Sequence, residues 1–189
     1  ILGIDIGGSR IRAGTFECLT PPSKKGFIKI LKKFSGASKI EIGIAGVILG
    51  TKVIFSPNIH YLKNFDFKKI FPRVRVDNDA RVFLREKLNK VSAKRVLAFT
   101  VGTGIGRAYA ENGRVKKIKI FEYPEKWEGE YQKIRDRKDY QKLAGFLGEK
   151  LSVLIKKYKP EAVILGGGVL KKKGFYKKLK KELKIKTYV

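Results

Sequence analysis

Apolar positions come in short runs from the first residues onward. A run over 2–7 and another over 10–16, separated by Gly7, Gly8 and Ser9, predict a hairpin of two strands. After Pro21-Pro22, residues Phe27, Ile28, Leu31 and Phe34 share one helical face, which predicts a helix over 23–34. Residues 39–45 predict a strand ended by Gly46. Residues 52–55 predict another, stopped by Ser56-Pro57. A short helix is expected over 65–71, with Asp66 as its N-cap and Pro72 as its stop. A short strand over 74–76 leads to a helix over 79–90, whose Ala80, Phe83, Leu84 and Leu88 fall on one side.

A second series begins at residue 95. Residues 95–101 and 105–111 predict strands around a glycine turn, and Asn112-Gly113 predicts a hairpin into a third strand over 114–120. Residues 126–138 are charged and show no dominant period. Residues 139–158 carry a continuous stripe of Leu143, Phe146, Leu147, Leu151, Leu154, Ile155 and Tyr158, with Asp139 placed to cap the helix. A buried strand over 161–165, a basic amphipathic helix over 174–183 and a strand over 185–189 complete the chain. The two halves share one plan: a glycine-turn hairpin, a third strand, a helix, a strand and a helix. The expected architecture is two α/β lobes, 1–92 and 93–189, with a central cleft.

Composition narrows the class. The 189 residues are 43% hydrophobic with 20 glycines, a globular composition with enough chain to bury a core. Cys18 is the one cysteine, which excludes a disulfide framework and a cysteine-rich zinc site. No apolar run is long enough to span a membrane. The sequence opens directly on a strand without a signal peptide, and a cytoplasmic location is expected. Lys and Arg number 44 against 17 acids, a net charge of +27. The excess is +11 over 1–92 and +16 over 93–189, and 33 of the 44 cations are lysine. Charge spread in this way reads first as a solvated surface, and second as attraction for a polyanion such as polyphosphate or nucleic acid.

Four segments carry candidate chemistry. In Asp5-Ile6-Gly7-Gly8-Ser9-Arg10 a Gly-Gly turn leaves backbone N–H groups open to an anion, and Asp5 at the strand end suits a divalent cation beside it. In Gly102-Thr103-Gly104-Ile105-Gly106 a second turn offers amides and the Thr103 hydroxyl. The residues after Gly106 alternate like a strand, so this is not a dinucleotide fingerprint. Gly166-Gly167-Gly168, between a strand and a helix, is a side-chain-free turn at a helix entry. Taken alone, each of these three is also readable as a plain turn, and for Gly166-Gly167-Gly168 the plain helix-entry turn is the favoured reading. In Asn78-Asp79 an amide and a carboxylate stand together at a strand end. A lone Asp79 is an ordinary helix cap, yet the pair also suits hydroxyl recognition and proton acceptance. Asn58, after Ser56-Pro57, adds another amide.

Together and in this order, the segments resemble the ROK family of sugar kinases, within the actin-like ATPase superfamily with its ribonuclease H-like fold. Residues 5–10 match the first phosphate motif, with Ser9 and Arg10 where Thr and Lys are commoner. Ile44-Ala45-Gly46 matches a Pro-Gly turn. Pro57-Asn58-Ile59 and Asn78-Asp79-Ala80 match the sugar-binding segments. Residues 102–106 match the second phosphate motif, and residues 164–169 the adenosine motif. The resemblance implies an ATP- and Mg²⁺-dependent kinase acting on a sugar hydroxyl, glucokinase- or hexokinase-like, with Asp79 as general base. Asp5 would serve the metal. Gly46, Asn58, Asn78, Asp79 and Glu122 would serve the sugar. Asp5, Gly7, Gly8, Ser9, Arg10, Gly102, Thr103, Gly104, Gly106, Gly166, Gly167 and Gly168 would serve the nucleotide. The family often forms dimers, so a homodimer is compatible with it.

The departures matter. The family's Gly-Glu-x-Gly-His segment and cysteine-rich zinc loop do not occur in this sequence, so no zinc is expected. Glu122 occupies roughly the place of the family glutamate, with Trp127-Glu128 just beyond it. His60, the sole histidine, lies upstream and reads as a loop residue near Asn58. Alternatives stay open: a polyphosphate-dependent sugar kinase, a catalytically inactive nucleotide-binding module, or a nucleic-acid-binding module on the same fold.

Overall fold

The structure is a computed structural model and describes residues 1–172 and 174–189. These separate into two compact units, Ile1–Val82 and Phe83–Val189.

In the first unit, β1 (Leu2–Ile6), β2 (Arg10–Ala13), β3 (Phe16–Leu19), β4 (Ile40–Ile44) and β8 (Val74–Asn78) form a five-stranded sheet in the order β3-β2-β1-β4-β8. β1, β2 and β3 are antiparallel neighbours, whereas β4 and β8 run parallel to β1. The expected single strand over 10–16 is two strands, because Gly14 takes a φ of 57° and turns the chain back on itself. Alternation in β1 buries Ile4 and Ile6 and leaves Gly3 and Asp5 on the open face. α1 (Lys24–Lys32) begins at Ser23, whose hydroxyl accepts the Gly26 N–H, and buries Phe27 and Leu31 against the sheet isoleucines. Each such fully buried side chain contributes about 1.5–3 kcal/mol.

Between β4 and β8 lies a small antiparallel sheet of β5 (Val47–Leu49), β6 (Lys52–Phe55) and β7 (Phe65–Asp66). The expected helix over 65–71 is therefore replaced by β7 and one 3₁₀ turn, Phe67–Lys69. Tertiary packing decides this. Phe65 and Phe67 both meet the Phe27 ring edge-on, at 5.8 and 6.3 Å, a pairing a regular helix would not allow. Asp66 does cap that turn, accepting the Lys68 N–H at 2.9 Å and the Thr51 hydroxyl at 2.7 Å.

The second unit repeats the order. β9 (Arg95–Val101), β10 (Ile105–Glu111), β11 (Arg114–Lys116), β12 (Ala162–Gly166) and β13 (Thr187–Tyr188) form the sheet β11-β10-β9-β12-β13, with β12 and β13 parallel to β9. The strand expected over 114–120 stops at Lys116, and a 3₁₀ turn, Lys119–Glu122, buries Phe121 instead. Residues 126–138, unreadable by period, contain α3 (Glu128–Asp136), which buries Glu128, Tyr131 and Ile134. α4 (Tyr140–Tyr158) is capped by Asp139, and its Leu143, Leu147 and Leu151 pack with Phe175 and Leu179 of α5 (Phe175–Leu183) over the sheet.

α2 (Asp79–Leu88) carries the chain from one unit to the next, and the division falls between Val82 and Phe83, before the expected 92/93. The Phe83 ring belongs with the second unit because it covers Gly166 at the end of β12, where an added Cβ would lie 2.7 Å from a ring carbon. Among the described residues no helix is long and apolar enough to cross a membrane.

Candidate functional site

In the first unit the parallel strands end level with one another, Ile6 opposite Ile44 and Ile44 opposite Asn78. The loops after β1, β4 and β8 therefore leave from one edge, the carboxyl end of parallel strands, where α/β sheets commonly bind ligands.

The first glycine turn is held by Thr20. Its hydroxyl donates to the Gly7 carbonyl at 2.7 Å and its N–H to the Ser9 carbonyl at 3.0 Å, while the Gly7 N–H donates to Arg10 O at 2.9 Å. In a trans peptide the C=O and the next N–H point opposite ways, so the bond from Thr20 turns the Gly8 N–H away from it. That N–H has no acceptor among the described residues. Glycine is required here: a Cβ on Gly8 would stand 2.6 Å from the Asn58 Cβ. The same closeness places Asn58 directly against the turn. Ser9 and Arg10 are exposed, and Arg10 pairs with Glu17 at 2.6 Å. An exposed pair of this kind is worth at most about 1 kcal/mol and is readily exchanged for another anion.

Asn78, not Asp79, caps α2. Its Oδ1 accepts the Ala80 N–H at 3.1 Å and the Arg81 N–H at 3.4 Å, and its Nδ2 donates to the Gly46 carbonyl at 3.2 Å. One Nδ2 hydrogen remains for another acceptor. Gly46 sits at φ 134°, with Phe55 O where a Cβ would be, so only glycine fits. Asp77 is bound to Arg81, its Oδ1 accepting Nε at 2.7 Å, and braces the same corner.

Asp79 opens the first turn of α2, and its Oδ1 accepts the Ala80 N–H at 2.8 Å. Burial, aided by the Asp5 carboxylate, raises its pKa to about 6 against the pull of that N–H. Asp5 itself is raised by burial, with Arg12, 3.3 Å away, opposing. Asp5 keeps about half of its side chain exposed, with a side-chain relative exposure of 52%. One half-exposed carboxylate at a strand end, electrostatically coupled to a second, fits a hard divalent cation shared with a ligand's phosphates.

In the second unit the two later glycine turns meet. Gly166 is level with Thr100, and Gly167, at φ 99°, lies against Val101, whose backbone N would be 2.6 Å from a Cβ there. Gly167 and Gly168 are exposed, and nothing lies within 4 Å of a Cβ at Gly168 or Gly102. Gly166 is different: it is buried under Phe83, so its lack of a side chain serves packing. Gly106 pairs with Thr100 within the sheet. The Gly102 N–H donates to Gly104 O at 3.0 Å and closes the turn.

α3 anchors this turn from behind. The Tyr131 hydroxyl donates to the Gly102 carbonyl at 2.7 Å. Arg135 Nη1 donates to both the Gly102 and Thr103 carbonyls, at 3.1 and 2.6 Å, and Gln132 Nε2 to Thr103 O at 3.3 Å. Glu128, buried, accepts the Ile105 N–H at 3.2 Å and the Glu125 N–H at 2.9 Å and pairs with buried Arg107 at 3.3 Å. Burial raises the Glu128 carboxyl and lowers Arg107, each partly offset by the other. Glu122 is buried in the turn Lys119–Glu122 of this unit, and exposed His60 starts the 3₁₀ turn His60–Leu62 in the other.

Thr20, Glu128, Tyr131, Gln132 and Arg135 support the turns without any sequence motif. Their partners are backbone groups distant in sequence, which many polar side chains could hold, so no spacing marks them.

Residues 25–117, from α1 through β11, match the sequence profile of the ROK family. No curated protein matches the sequence. Among solved structures, the chain is similar to an inorganic polyphosphate/ATP-glucomannokinase from Arthrobacter sp. strain KM. That match has 21% identity and a TM-score of 0.81 over 99% of this chain and 89% of the other. It is similar to a ROK family glucokinase from Streptomyces griseus, in complex with glucose and AMPPNP, with 20% identity and a TM-score of 0.79 over 96% and 88%. A ROK hexokinase from Thermus thermophilus aligns at 18% identity and a TM-score of 0.64 over 96% and 87%. These matches show that the chain shares the fold of these kinases across both units, and residues 25–117 carry the ROK family profile.

Proposed function

We propose that this protein transfers a phosphoryl group from ATP to a hydroxyl of a sugar, with Asp79 as the general base. The observation that carries this reading is Asp79 itself. Its carboxylate stands at the carboxyl edge of the first sheet, beside the Asn78 amide, with a pKa raised to about 6. A base in that range is largely ionised at neutral pH and takes a proton more strongly than an ordinary carboxylate. Asn58 and the remaining Nδ2 hydrogen of Asn78 are groups that recognise sugar hydroxyls. As the hydroxyl oxygen forms its bond to the γ-phosphorus and the bond to ADP breaks, Asp79 accepts the hydroxyl proton. Each unit, taken by itself, has a glycine turn with fixed dipoles of the kind that bind phosphate oxygens, the Gly8 N–H in one and the Thr103 and Gly104 N–H groups in the other. The exposed Gly167-Gly168 backbone leaves room for the adenosine. Asp5 would hold Mg²⁺, which when bound neutralises phosphate charge. Placement and charge neutralisation account for most of the acceleration in such transfers.

The test is incubation of the protein with Mg²⁺ and either ATP or polyphosphate across a panel of hexoses and amino sugars, with detection of the sugar phosphate. Product from ATP supports the reading. Product from polyphosphate alone moves the donor to polyphosphate, in keeping with the +27 charge and with the named activity of the Arthrobacter relative. Nucleotide binding with no phosphorylated sugar contradicts the kinase reading.

A further inference from the structure

We propose that Arg135 is a positioning residue for the phosphates of the nucleotide donor, a role that rests on the kinase reading above. Its Nη1 bridges the carbonyls of Gly102 and Thr103. Because each peptide is planar and trans, drawing those two carbonyls toward α3 turns the N–H groups of Thr103 and Gly104 the other way. The Gly104 N–H has no acceptor among the described residues. Arg135 thus fixes which face of the turn an anion meets. Arg135 is itself held rigidly: Asp136 Oδ1 accepts from Nε at 2.8 Å and pairs with Nη2 at 2.8 Å, and the guanidinium lies 5.6 Å from the Tyr131 ring centre. A planar fork set in this way loses little freedom when it binds, and lysine has no equivalent.

A second observation points the same way. Arg135 forms one wall of a cavity of about 250 Å³ that it shares with Lys138, Lys172, Tyr140, Asp136 and Val169. Val169 comes directly after the exposed glycines of the third turn, so one wall of the cavity adjoins that turn. Three cations against one acid give this side of the turn an excess of positive charge, which draws an anion toward the turn that Arg135 holds.

The experiment compares wild type, Arg135→Gln and Arg135→Lys. It measures nucleotide affinity by calorimetry, KM for ATP and for the sugar, kcat and melting temperature. For Arg135→Gln the expected result is a rise of about 10- to 100-fold in the nucleotide Kd and in KM for ATP, the scale of a lost charged hydrogen bond, with KM for the sugar unchanged within about two-fold. Arg135→Lys keeps the charge and reaches one carbonyl, and is expected to recover part of that loss, to about 3- to 10-fold. If Arg135→Gln does not fold, Arg135→Lys alone decides: wild-type nucleotide affinity in it overturns the proposal. Equal weakening of both substrates together with a lower melting temperature reduces Arg135 to a structural residue and also overturns it. Failure of the kinase reading shows separately, as a wild-type protein that binds no nucleotide.

Discussion

The two units share a strand order but secure their glycine turns differently. In the first, one residue, Thr20, holds the turn through a hydroxyl and a main-chain amide, and the turn lies against Asn58. In the second, a whole helix does the work: Tyr131, Gln132 and Arg135 hold the carbonyls, and the buried Glu128–Arg107 pair anchors the next strand, β10. The chemistry asked of each unit explains the contrast. The first carries the ionisable groups of the proposed reaction, Asp5 and Asp79. The second carries only dipoles, and dipoles act by staying in place. Rigidity around the second turn is therefore concentrated in side chains, whereas around the first it is shared with the backbone.

That contrast orders the expected effects of substitution. The largest is Asp79→Ala, expected to lower turnover by about 10²–10⁴-fold in a transfer assay while nucleotide affinity stays within about two-fold of wild type. Unchanged turnover would remove the base from Asp79. Next is Glu128→Ala, which removes one of the two carboxylates on buried Arg107, leaving Glu125 at 2.9 Å, and releases the Ile105 N–H. A loss of about 1.5–3 kcal/mol in denaturant unfolding is expected, with weaker nucleotide binding. Thr20→Val removes one hydrogen bond to Gly7 O from a site whose main-chain contact survives. It is expected to cost about 0.5–1.5 kcal/mol, and a cost matching Glu128→Ala would erase the difference between the units.

One further effect has an unusual sign. The folded pKa of Asp79, about 6, lies above its ordinary value of 3.8, so the protonated form favours the fold. That contribution is complete below about pH 3.8 and is lost as pH rises through about 6. Asp79→Asn keeps the acceptor for the Ala80 N–H but carries no charge. It is expected to be more stable than wild type above pH 6, by at most about 3 kcal/mol, and equal to it below pH 4. Calorimetric melting across pH checks this.

Much of the fold is legible in the sequence where local signals and packing agree. β9 and β10 occupy the expected 95–101 and 105–111, because a glycine turn joins two largely apolar runs of strand length. α4 starts after Asp139 as its cap requires. The misread segments are those where packing overrides local pattern. Phe65 and Phe67 answer to Phe27, and Phe121 answers to Tyr109's neighbour Tyr158, whose ring is 5.3 Å from it. The glycines of the site are legible because backbone conformation or close approach requires them at Gly8, Gly46 and Gly167. Gly166 shows the limit: it reads as part of a ligand turn and instead seats Phe83. Of the excess lysines, those in α5 lie off its buried stripe of Phe175, Leu179 and Leu183, as a solvated face would.

The most direct test of Asp79 as the base is the pH dependence of kcat/KM for sugar phosphorylation at saturating Mg-ATP, in wild type and Asp79→Asn. The expected result is a wild-type rate that falls about tenfold per pH unit below about pH 6, and an Asp79→Asn enzyme at least about 100-fold slower with that limb gone. A wild-type rate flat from pH 5 to 8, or the same acid limb persisting in the variant, would contradict it.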